Sequence, residues 1–427
     1  RLFSAKVPGA DAGAGRRRPR TLREALEVQP GTNVAIVSVP GDYAAIEAHK
    51  ALTAGLHVLL FSDNVPVEDE VELKDRAAEL GRFVMGPGAG TAMLGGTGLG
   101  FANVVRPGRV AVVAAAGTGA QEAMSLLDRW GVGVSHVVGL GGRDLTDPVD
   151  GRMAKLAVGA LAADEATDAI LLVSKPPSER VARDVVRLAA GTPLVASLVG
   201  LKGSVDLPDG VTVVRTLEAG VVAMLGVLGR EAPDLAEGLA EAVMQAGARL
   251  APDRTLVRGL FSGGTLCYES LVILTDLLGP VWSNTPLDKA CTVPAPPGAH
   301  VCLDLGEEEY TKGRPHPMID PEARLEFIRE AGREDDVAVI LVDVVLGYGS
   351  HADPAAELAP VVKEIRAEGG PEVVAYVLGT EQDPQGLARQ RATLADAGCI
   401  VTPTAARASL AAAAIARREP ELVAAAL

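Results

Sequence analysis

From residue 33 onward the chain repeats one rhythm: a short apolar run, a turn, an amphipathic stretch, another turn. "NVAIVSVPG" (33–41) is such a run, closed by Pro-Gly. "DYAAIEAHKALTAG" (42–55) follows at helical spacing, with Asp42 placed to cap it and Gly55 to stop it. "LHVLLFSD" (56–63), "EDEVELKDRAAELG" (68–81) and "RFVMGPG" (82–88) continue as strand, helix and strand. Strand–helix units of this length imply right-handed crossovers and hence parallel sheets. A small α/β domain is expected over 26–105.

A second unit opens at "GRVAVVAAAGTGAQEAMSLLDRWG" (108–131). Strands are predicted at 134–139, 168–173, 193–199 and 211–214, and helices at 153–163, 178–190 and 216–228, giving a domain over 106–230. Residues 231–255 are expected to form a link, with a helix at 231–247. The third domain, 256–427, begins "LVRGLFSGGTLCYESLVILTDLLG" and passes through an irregular Pro-rich stretch to about 320. It then returns to strands at 337–345 and 373–378, with helices near 356–367, 383–397 and from about 404. Residues 1–25 lack periodicity and carry a basic cluster, so they are expected to be a flexible segment or a fragment of a preceding domain.

Composition narrows the function classes. With 55 Asp and Glu against 40 Lys and Arg the formal charge is −15, which argues against a general nucleic-acid surface and leaves room for a local basic pocket. The apolar share is 48% but aromatics are only 3%, a small-residue bias that suits helices packed closely on parallel strands. The four cysteines, at 267, 291, 302 and 399, have neither metal-site spacing nor disulfide-scaffold density, so no metal is inferred and a reducing compartment is expected. No run of 18 apolar residues and no signal-peptide core is present in the sequence, so no membrane role is expected and the cytoplasm is the expected location.

Two stretches repeat a device. "AGTGAQEA" (116–123) and "GGTLCYES" (263–270) share Gly-Thr at a strand–helix turn and a glutamate four residues after the threonine. Gly117, Thr118 and Gly119, like Gly264, Thr265, Leu266 and Cys267, would supply the free N–H groups of a helix start, a ready anion site. Their spacing of 147 residues suggests duplicated domains whose helix ends face one charged group. Alternatively these are ordinary turns, with Glu122 and Glu269 at the surface or as first-turn dipole partners. Neither copy has the Lys-Ser/Thr ending of a nucleotide P-loop. Cys267, in the first turn, is either a thiolate favoured by the helix end or a small packed residue.

"GRPHPMIDP" (313–321) poses a different question. Pro315 and Pro317 deny His316 a regular helix or central strand and fix the angle at which Arg314 and His316 are presented. Arg314 could clamp a carboxylate or phosphate, and His316 could serve as acid, base or donor, or both could tie the loop to its domain. Asp320 is expected to cap the helix that starts at Pro321, and Asp353 the helix that starts at Pro354. Asp304 ends an apolar strand, while Glu307, Glu308 and Glu309 read as a solvated face. Asp343 lies inside the apolar strand "ILVDVVLGYG" and must find partners or be neutral, which marks it as a site or support residue.

"NVAIVSVPGDYAAIEAHKAL", "VMGPGAGTAML", "AAAGTGAQEAM", "GLGGRDL", "VSKPP", "GLFSGGTLCYE", "LDLGEEEYTKGRPHPMIDP" and "DVVLGYGSHADP" resemble FdrA-type proteins, which are similar to the succinyl-CoA synthetase superfamily of acyl-CoA synthetases. The resemblance covers about residues 21–415 and implies tandem Rossmann-like or flavodoxin-like α/β domains with parallel sheets. It also implies a form shortened at its front, where such proteins carry additional α/β sequence. Gly86, Pro87 and Gly88 match the loop that closes the CoA-binding part of the synthetase alpha subunit, with Gly88 in place of an asparagine. Gly141 and Gly142, in "GLGG", match that subunit's next glycine-rich loop, and 256–427 resembles the C-terminal domain of the beta subunit.

Two departures stand out. The stretch that resembles the phosphohistidine loop, "VASLVGLKGSVDLPDG" (195–210), has no histidine; all six lie elsewhere, at 49, 57, 136, 300, 316 and 351. Where the family's orienting glutamate would stand, "LLVSKPP" (171–177) offers Lys175, which supports a bound anion rather than a nucleophilic imidazole. No ATP-grasp domain is read from the sequence. The resemblance therefore implies an enzyme subunit that handles an acyl or carbamoyl phosphate and a small carboxylic acid, of the oxamate carbamoyltransferase type. Its site would draw on Lys175, Arg314, His316 and Asp343, with CoA as candidate cofactor. Small anionic metabolites and either copies of itself or companion subunits are the expected partners. Two other readings stay open: an acyl-CoA ligase working with a separate nucleotide-binding subunit, and a noncatalytic CoA- or metabolite-binding scaffold.

Overall fold

A computed structural model of the protein describes residues 19–189, 191–201 and 210–427. Residues 1–18, most of the expected flexible segment, and 202–209, part of the histidine-free stretch, lie outside the described residues. Helix α1 (Leu22–Val28) runs across the boundary expected at residue 25, so residues 22–25 are helical. Thr21 starts it, its hydroxyl accepting the Glu24 N–H at 3.2 Å.

The first sheet is small and parallel: β1 (Val34–Val37), β2 (His57–Leu60) and β3 (Val84–Met85), in that order. Helices α2 (Gly41–Thr53) and α3 (Val67–Glu79) make its crossovers. Asp42 does not cap α2; Pro40 holds that position and Asp42 sits in the first turn.

The second sheet begins with an antiparallel hairpin that the sequence pattern did not predict, β4 (Thr91–Leu94) and β5 (Thr97–Gly100). There follow β6 (Pro107–Ala114), α4 (Gly117–Arg129), β7 (Val134–Gly139), α5 (Arg152–Ala162), β8 (Ala169–Ser174), α6 (Glu179–Val186), β9 (Leu194–Leu198), β10 (Val211–Val214) and α7 (Leu217–Val227). The linking helix, α8 (Leu239–Arg249), starts eight residues later than the sequence suggests, beyond Pro233. The third sheet contains β11 (Leu256–Phe261), α9 (Gly264–Leu278), β12 (Val281–Trp282), β13 (His300–Asp304), the short α10 (Glu308–Thr311), α11 (Glu322–Gly332), β14 (Val337–Val345), α12 (Pro354–Ala367), β15 (Glu372–Leu378), α13 (Leu387–Ala397), β16 (Ile400–Thr402) and α14 (Ala405–Arg417).

The second sheet is ordered β10-β9-β8-β6-β7-β4-β5 and the third β12-β13-β11-β14-β15-β16. In each, the strand before the Gly-Thr turn lies between two later strands: β6 between β7 and β8, β11 between β13 and β14, with the short β12 added at the edge of the third sheet. That is the 2-1-3-4-5 order of doubly wound, flavodoxin-like sheets, in which ligands gather at the carboxyl end of the first strand. Both switch points open where a Gly-Thr helix begins. Strand β14, "VAVILVDVV", is buried at every position because helices cover both faces.

One apolar core joins the second and third domains. Val112 and Val173 of the second sheet, Met124 of α4, Leu266 and Leu271 of α9, Val339 and Tyr376 of the third sheet and Ala412 of α14 belong to the same packed cluster. Helices α4 and α9 are pressed between two sheets, and this packing brings their starts together.

Candidate functional site at the junction of the three domains

The first intrahelical bonds of the two helices run from Ala120 N–H to Ala116 and from Cys267 N–H to Gly263. The N–H groups of Gly117, Thr118 and Gly119, and of Gly264, Thr265 and Leu266, therefore precede the helical ladders. Thr265 N–H donates to Thr118 Oγ1 at 3.1 Å, so the two helix ends touch. A Cβ on Gly119 would lie 2.9 Å from Thr265 Cγ2, closer than the helices tolerate. Gly119 and Leu266 are buried at this crossing and face no opening.

The helix ends form the floor of a cavity of about 680 Å³ with walls from all three domains. The first domain contributes Phe61, Asp63, Asn64 and the loop from Pro87 to Gly90; the second sheet's domain contributes Thr91, Gly117, Thr118, Gly141, Gly142, Arg143 and Lys175. The third contributes Gly264, Thr265, Asp304, Gly306, Glu307, Glu308 and His316. Gly86 lies just behind the wall. Gly88 has φ +68°, and a Cβ there would strike Asp63 Oδ1 at 2.4 Å, so glycine lets that carboxylate approach the loop. The two glycine loops meet, since a Cβ on Gly141 would strike the Pro87 carbonyl at 2.4 Å.

A buried ion network fixes the second loop. Lys74, on α3, is fully buried and donates to Glu70 (2.7 Å), the Leu140 carbonyl (2.9 Å) and Asp144 (2.8 Å). Asp144 in turn accepts the Met153 and Ala154 N–H groups that start α5. Arg143 binds Glu70 and the Val65 carbonyl and reaches the cavity from its rim. Lys175 reaches the cavity from the end of β8, with its ammonium 5.2 Å from the centre of the Tyr268 ring.

Of the two candidates in the proline-framed loop, His316 lines the cavity, as does Met318 beside it; Arg314 is exposed and outside the lining. The imidazole is half-buried and packs 6.2 Å from the Phe101 ring centre. Its Nδ1 accepts the Met318 N–H at 3.2 Å, which assigns the proton of the neutral ring to Nε2. Burial lowers its pKa, opposed by Asp343. Asp320 accepts the Glu322 N–H at 3.1 Å, although the N-cap of α11 is Pro321. Asp353 is the N-cap of α12, and its carboxylate pairs with Arg389 and accepts from Gln390.

Asp343 is buried and does not line the cavity. It accepts the Ser262 and Gly263 N–H groups at 2.8 and 2.7 Å and pairs with Arg324 at 2.9 Å. It thus anchors the turn from which α9 springs, a support position. Cys267 is buried too, and desolvation pushes its thiol pKa well above the ordinary value, so the thiolate reading is overturned.

The surface reading of Glu122 and Glu269 is likewise overturned: both are about 1% exposed. Glu122 accepts the Tyr376 hydroxyl at 2.5 Å and Glu269 the Leu217 N–H at 2.6 Å. Burial raises their carboxyl pKa values to about 7 and about 8, and Glu122 adds to the rise at Glu269. Asp63, Asn64 and Arg143 also line the cavity although no motif marks them in the sequence, and Asp304 carries no mark there beyond ending an apolar strand. Arg143 directly follows "GLGG" and Asp63 lies three residues beyond the carboxyl end of β2, so position relative to the strands was the available signal.

Among the described residues no group of three or more His, Cys, Asp or Glu is arranged to hold a metal, and no helix is long and apolar enough to cross a membrane.

Residues 260–415, the doubly wound third domain that carries the second helix start, match the CoA-ligase family model. Over 421 residues, 96% of this chain and 81% of the relative, the sequence is 40% identical to the uncharacterized protein YahF of Escherichia coli (strain K12). The chain belongs to the family of YahF. It is also 29% identical over 236 residues to subunit alpha 2 of the ADP-forming succinate–CoA ligase of Archaeoglobus fulgidus, covering 54% of this chain and 76% of that subunit. The alpha subunit of the same kind of ligase from Aquifex aeolicus is 27% identical over 189 residues, 42% of this chain and 60% of that subunit.

Proposed function

We propose that the chain is an acyl-CoA-ligase-like enzyme subunit of the FdrA type whose cavity binds an acyl or carbamoyl phosphate and a small carboxylic acid. Carbamoyl transfer to oxamate is the reaction it fits best. The observation that carries this reading is the meeting of two helix starts in the lining of one cavity, to which Lys175 also contributes. Free N–H groups and a lysine stabilise an oxyanion, and the absence of a histidine from 195–210 removes the nucleophile that a phosphorylated ligase needs. In carbamoyl transfer the amide nitrogen of oxamate would attack the carbamoyl carbon. The carbon–oxygen bond to phosphate would break, and the proton lost by the nitrogen would pass to the departing phosphate, which would leave as hydrogen phosphate at the helix ends. His316 would donate from Nε2 to the carbonyl or the leaving oxygen.

The cavity also suits CoA in size, and its backbone is open at Gly142 of the second glycine loop and at Gly117 of the α4 start, since nothing stands within 4 Å of a Cβ built on either. Pro87, Gly88, Gly141, Gly142 and Arg143 would hold it. It would supply a thiol as acyl acceptor. The succinate–CoA ligase relatives are alpha subunits by name, so companion subunits are proposed as partners.

The test is to incubate the purified protein, with any co-purifying subunits, with carbamoyl phosphate and oxamate and to follow N-carbamoyloxamate by mass spectrometry. Product that disappears in Lys175→Met and His316→Gln, with folding intact, is expected. Formation of acyl-CoA from ATP, CoA and a dicarboxylate, with acid-labile phosphohistidine and no carbamoyl product, would replace this reading with ligase chemistry.

A further inference from the structure

Asp304 stands at the end of β13, only 3% exposed, in a setting that the proposed reaction leaves unused. Its Oδ1 accepts the Gly306 N–H at 3.0 Å. Its Oδ2 lies 2.3 Å from where a Cβ on Gly264 would be, at the first residue of α9. Among the described residues no side chain or N–H donates to that second oxygen, which faces the cavity. A buried carboxylate thus stands where an anion would dock. Across a gap kept open by Gly306 stands His316: a Cβ on Gly306 would be 3.1 Å from Asp304 Oδ1 and 2.6 Å from His316 Nε2.

The charges around Asp304 oppose ionisation on balance. Burial pushes its pKa up to about 7, with Glu307 and Asp343 adding to the rise and Lys175 pulling it down. Asp343 is itself held by Arg324, and Cys267, on the facing helix, remains a thiol. Burial lowers the His316 pKa and so favours its neutral ring, while Asp63, Glu308 and, with opposite sign, Arg143 line the same cavity. An ionised Asp304 would repel any anion at the helix ends, whereas its acid form would donate a hydrogen bond to it.

We propose that Asp304 and His316 form an oxyanion subsite over Gly306 that takes up a proton together with its ligand, so that a small oxyanion enters only with Asp304 in its acid form. The inference rests on the reading of the cavity as an anion site. It adds two neutral donors, Asp304 and the Nε2–H of His316, to the backbone donors of α4 and α9. The ligand class is a compact oxyanion, a phosphoryl, sulfonyl or carboxylate group, with an acceptor oxygen free to face both.

Sulfate is the suitable probe because its charge is constant across the pH range in question. Its affinity for the full chain is measured by calorimetry between pH 6 and 8.5 at fixed ionic strength, in two buffers of different ionisation heat. The ionisation sign sets the window: the acid form dominates below about pH 7 and is lost above it. Wild-type affinity should change little below about pH 6.5 and fall by roughly tenfold per pH unit above about 7.5, with uptake approaching one proton per sulfate. Asp304→Asn should bind sulfate with an affinity flat from pH 7 to 8.5 and without that proton. Gly306→Ala, which keeps both side chains but fills the gap between them, should weaken binding at pH 6. Sulfate binding at pH 8 without proton uptake by the wild type, or an unchanged pH slope in Asp304→Asn, would overturn the subsite and leave the anion site standing. Failure of both proteins to bind sulfate at pH 6 would overturn both.

Discussion

Replacing Thr118 by valine tests the junction of the two helix ends most directly. The exchange keeps the shape of the side chain and removes the oxygen that accepts the Thr265 N–H at 3.1 Å. Thr118 and Thr265 are 7% and 4% exposed, so little water is available to replace the lost partner. Leaving a buried N–H unpaired costs about 1–3 kcal/mol. The cooperative unit sharing this core spans two domains, so each kcal/mol corresponds to roughly 2 °C in melting temperature, and a drop of about 2–6 °C is expected. Thr118→Ser keeps the acceptor and loses one methyl group, whose carbon sits 2.9 Å from the Cβ position of Gly263; that loss is worth roughly 1 kcal/mol. Because the two substitutions overlap in melting temperature, hydrogen exchange decides between them. The peptide containing Thr265 should exchange faster in the valine variant and at the wild-type rate in the serine variant. Wild-type melting together with wild-type exchange in Thr118→Val would refute the claim that the helix ends are tied through this hydroxyl.

Three further outcomes follow from groups around the site. Lys74→Met leaves Glu70 and Asp144 buried without their shared cation and should cost about 3–5 kcal/mol, read as a lower midpoint in chemical denaturation; Arg143 remains on Glu70 and limits the loss. Glu269 has its carboxyl pKa raised to about 8 in the folded protein, so the native state holds a proton that the unfolded chain releases near its ordinary value of 4.5. Its contribution is full below about pH 4.5 and lost as pH rises through 8, and Glu269→Gln should therefore flatten the decline in melting temperature between pH 5 and 8. Iodoacetamide at pH 8 should label the partly exposed Cys291 and spare the buried Cys267 in the folded protein, as peptide mass mapping would show.

The sequence disclosed the strands best where apolar runs had sharp polar or glycine borders. The expectations for 134–139, 211–214 and 337–345 match the structure to the residue. The β4–β5 hairpin escaped because "TGLG" has almost no β-forming side chains; pairing with Thr91–Leu94 makes it a strand. The Gly-Thr repeat was legible because a turn at a switch point needs those residues locally. What no local pattern shows is that two such turns meet, which is decided by two sheets closing on one core. The misplacement of Glu122 and Glu269 has the same origin: helical periodicity assumes one wet face, and helices pressed between two sheets have none. Arg314 and His316 looked equivalent in "RPHP", but the Met318 N–H bond turns the imidazole inward and leaves the guanidinium outside.

The arrangement also explains why the proposed anion site belongs to neither doubly wound domain by itself. A switch point in an open sheet normally offers one helix end and one crevice. Here the helices that carry the two ends are buried on both faces, and Leu266, Leu271 and Met124 lie in a core that neither sheet closes alone. Separating the domains would expose this apolar surface and the near-neutral Glu122 and Glu269, whose burial is tolerable only with Tyr376, Leu217 and the facing helix in place. Because Thr118 supplies the acceptor for Thr265, even the hydrogen bonding of one helix end depends on the other. Burial thus brings together two weak, ordinary helix starts and sets them against one cavity. The same burial raises the carboxyl pKa of Asp304, at the edge of that cavity, to about 7. Domain packing, helix-end geometry and the proton on Asp304 are therefore linked, and a change in any one should be read out in the others.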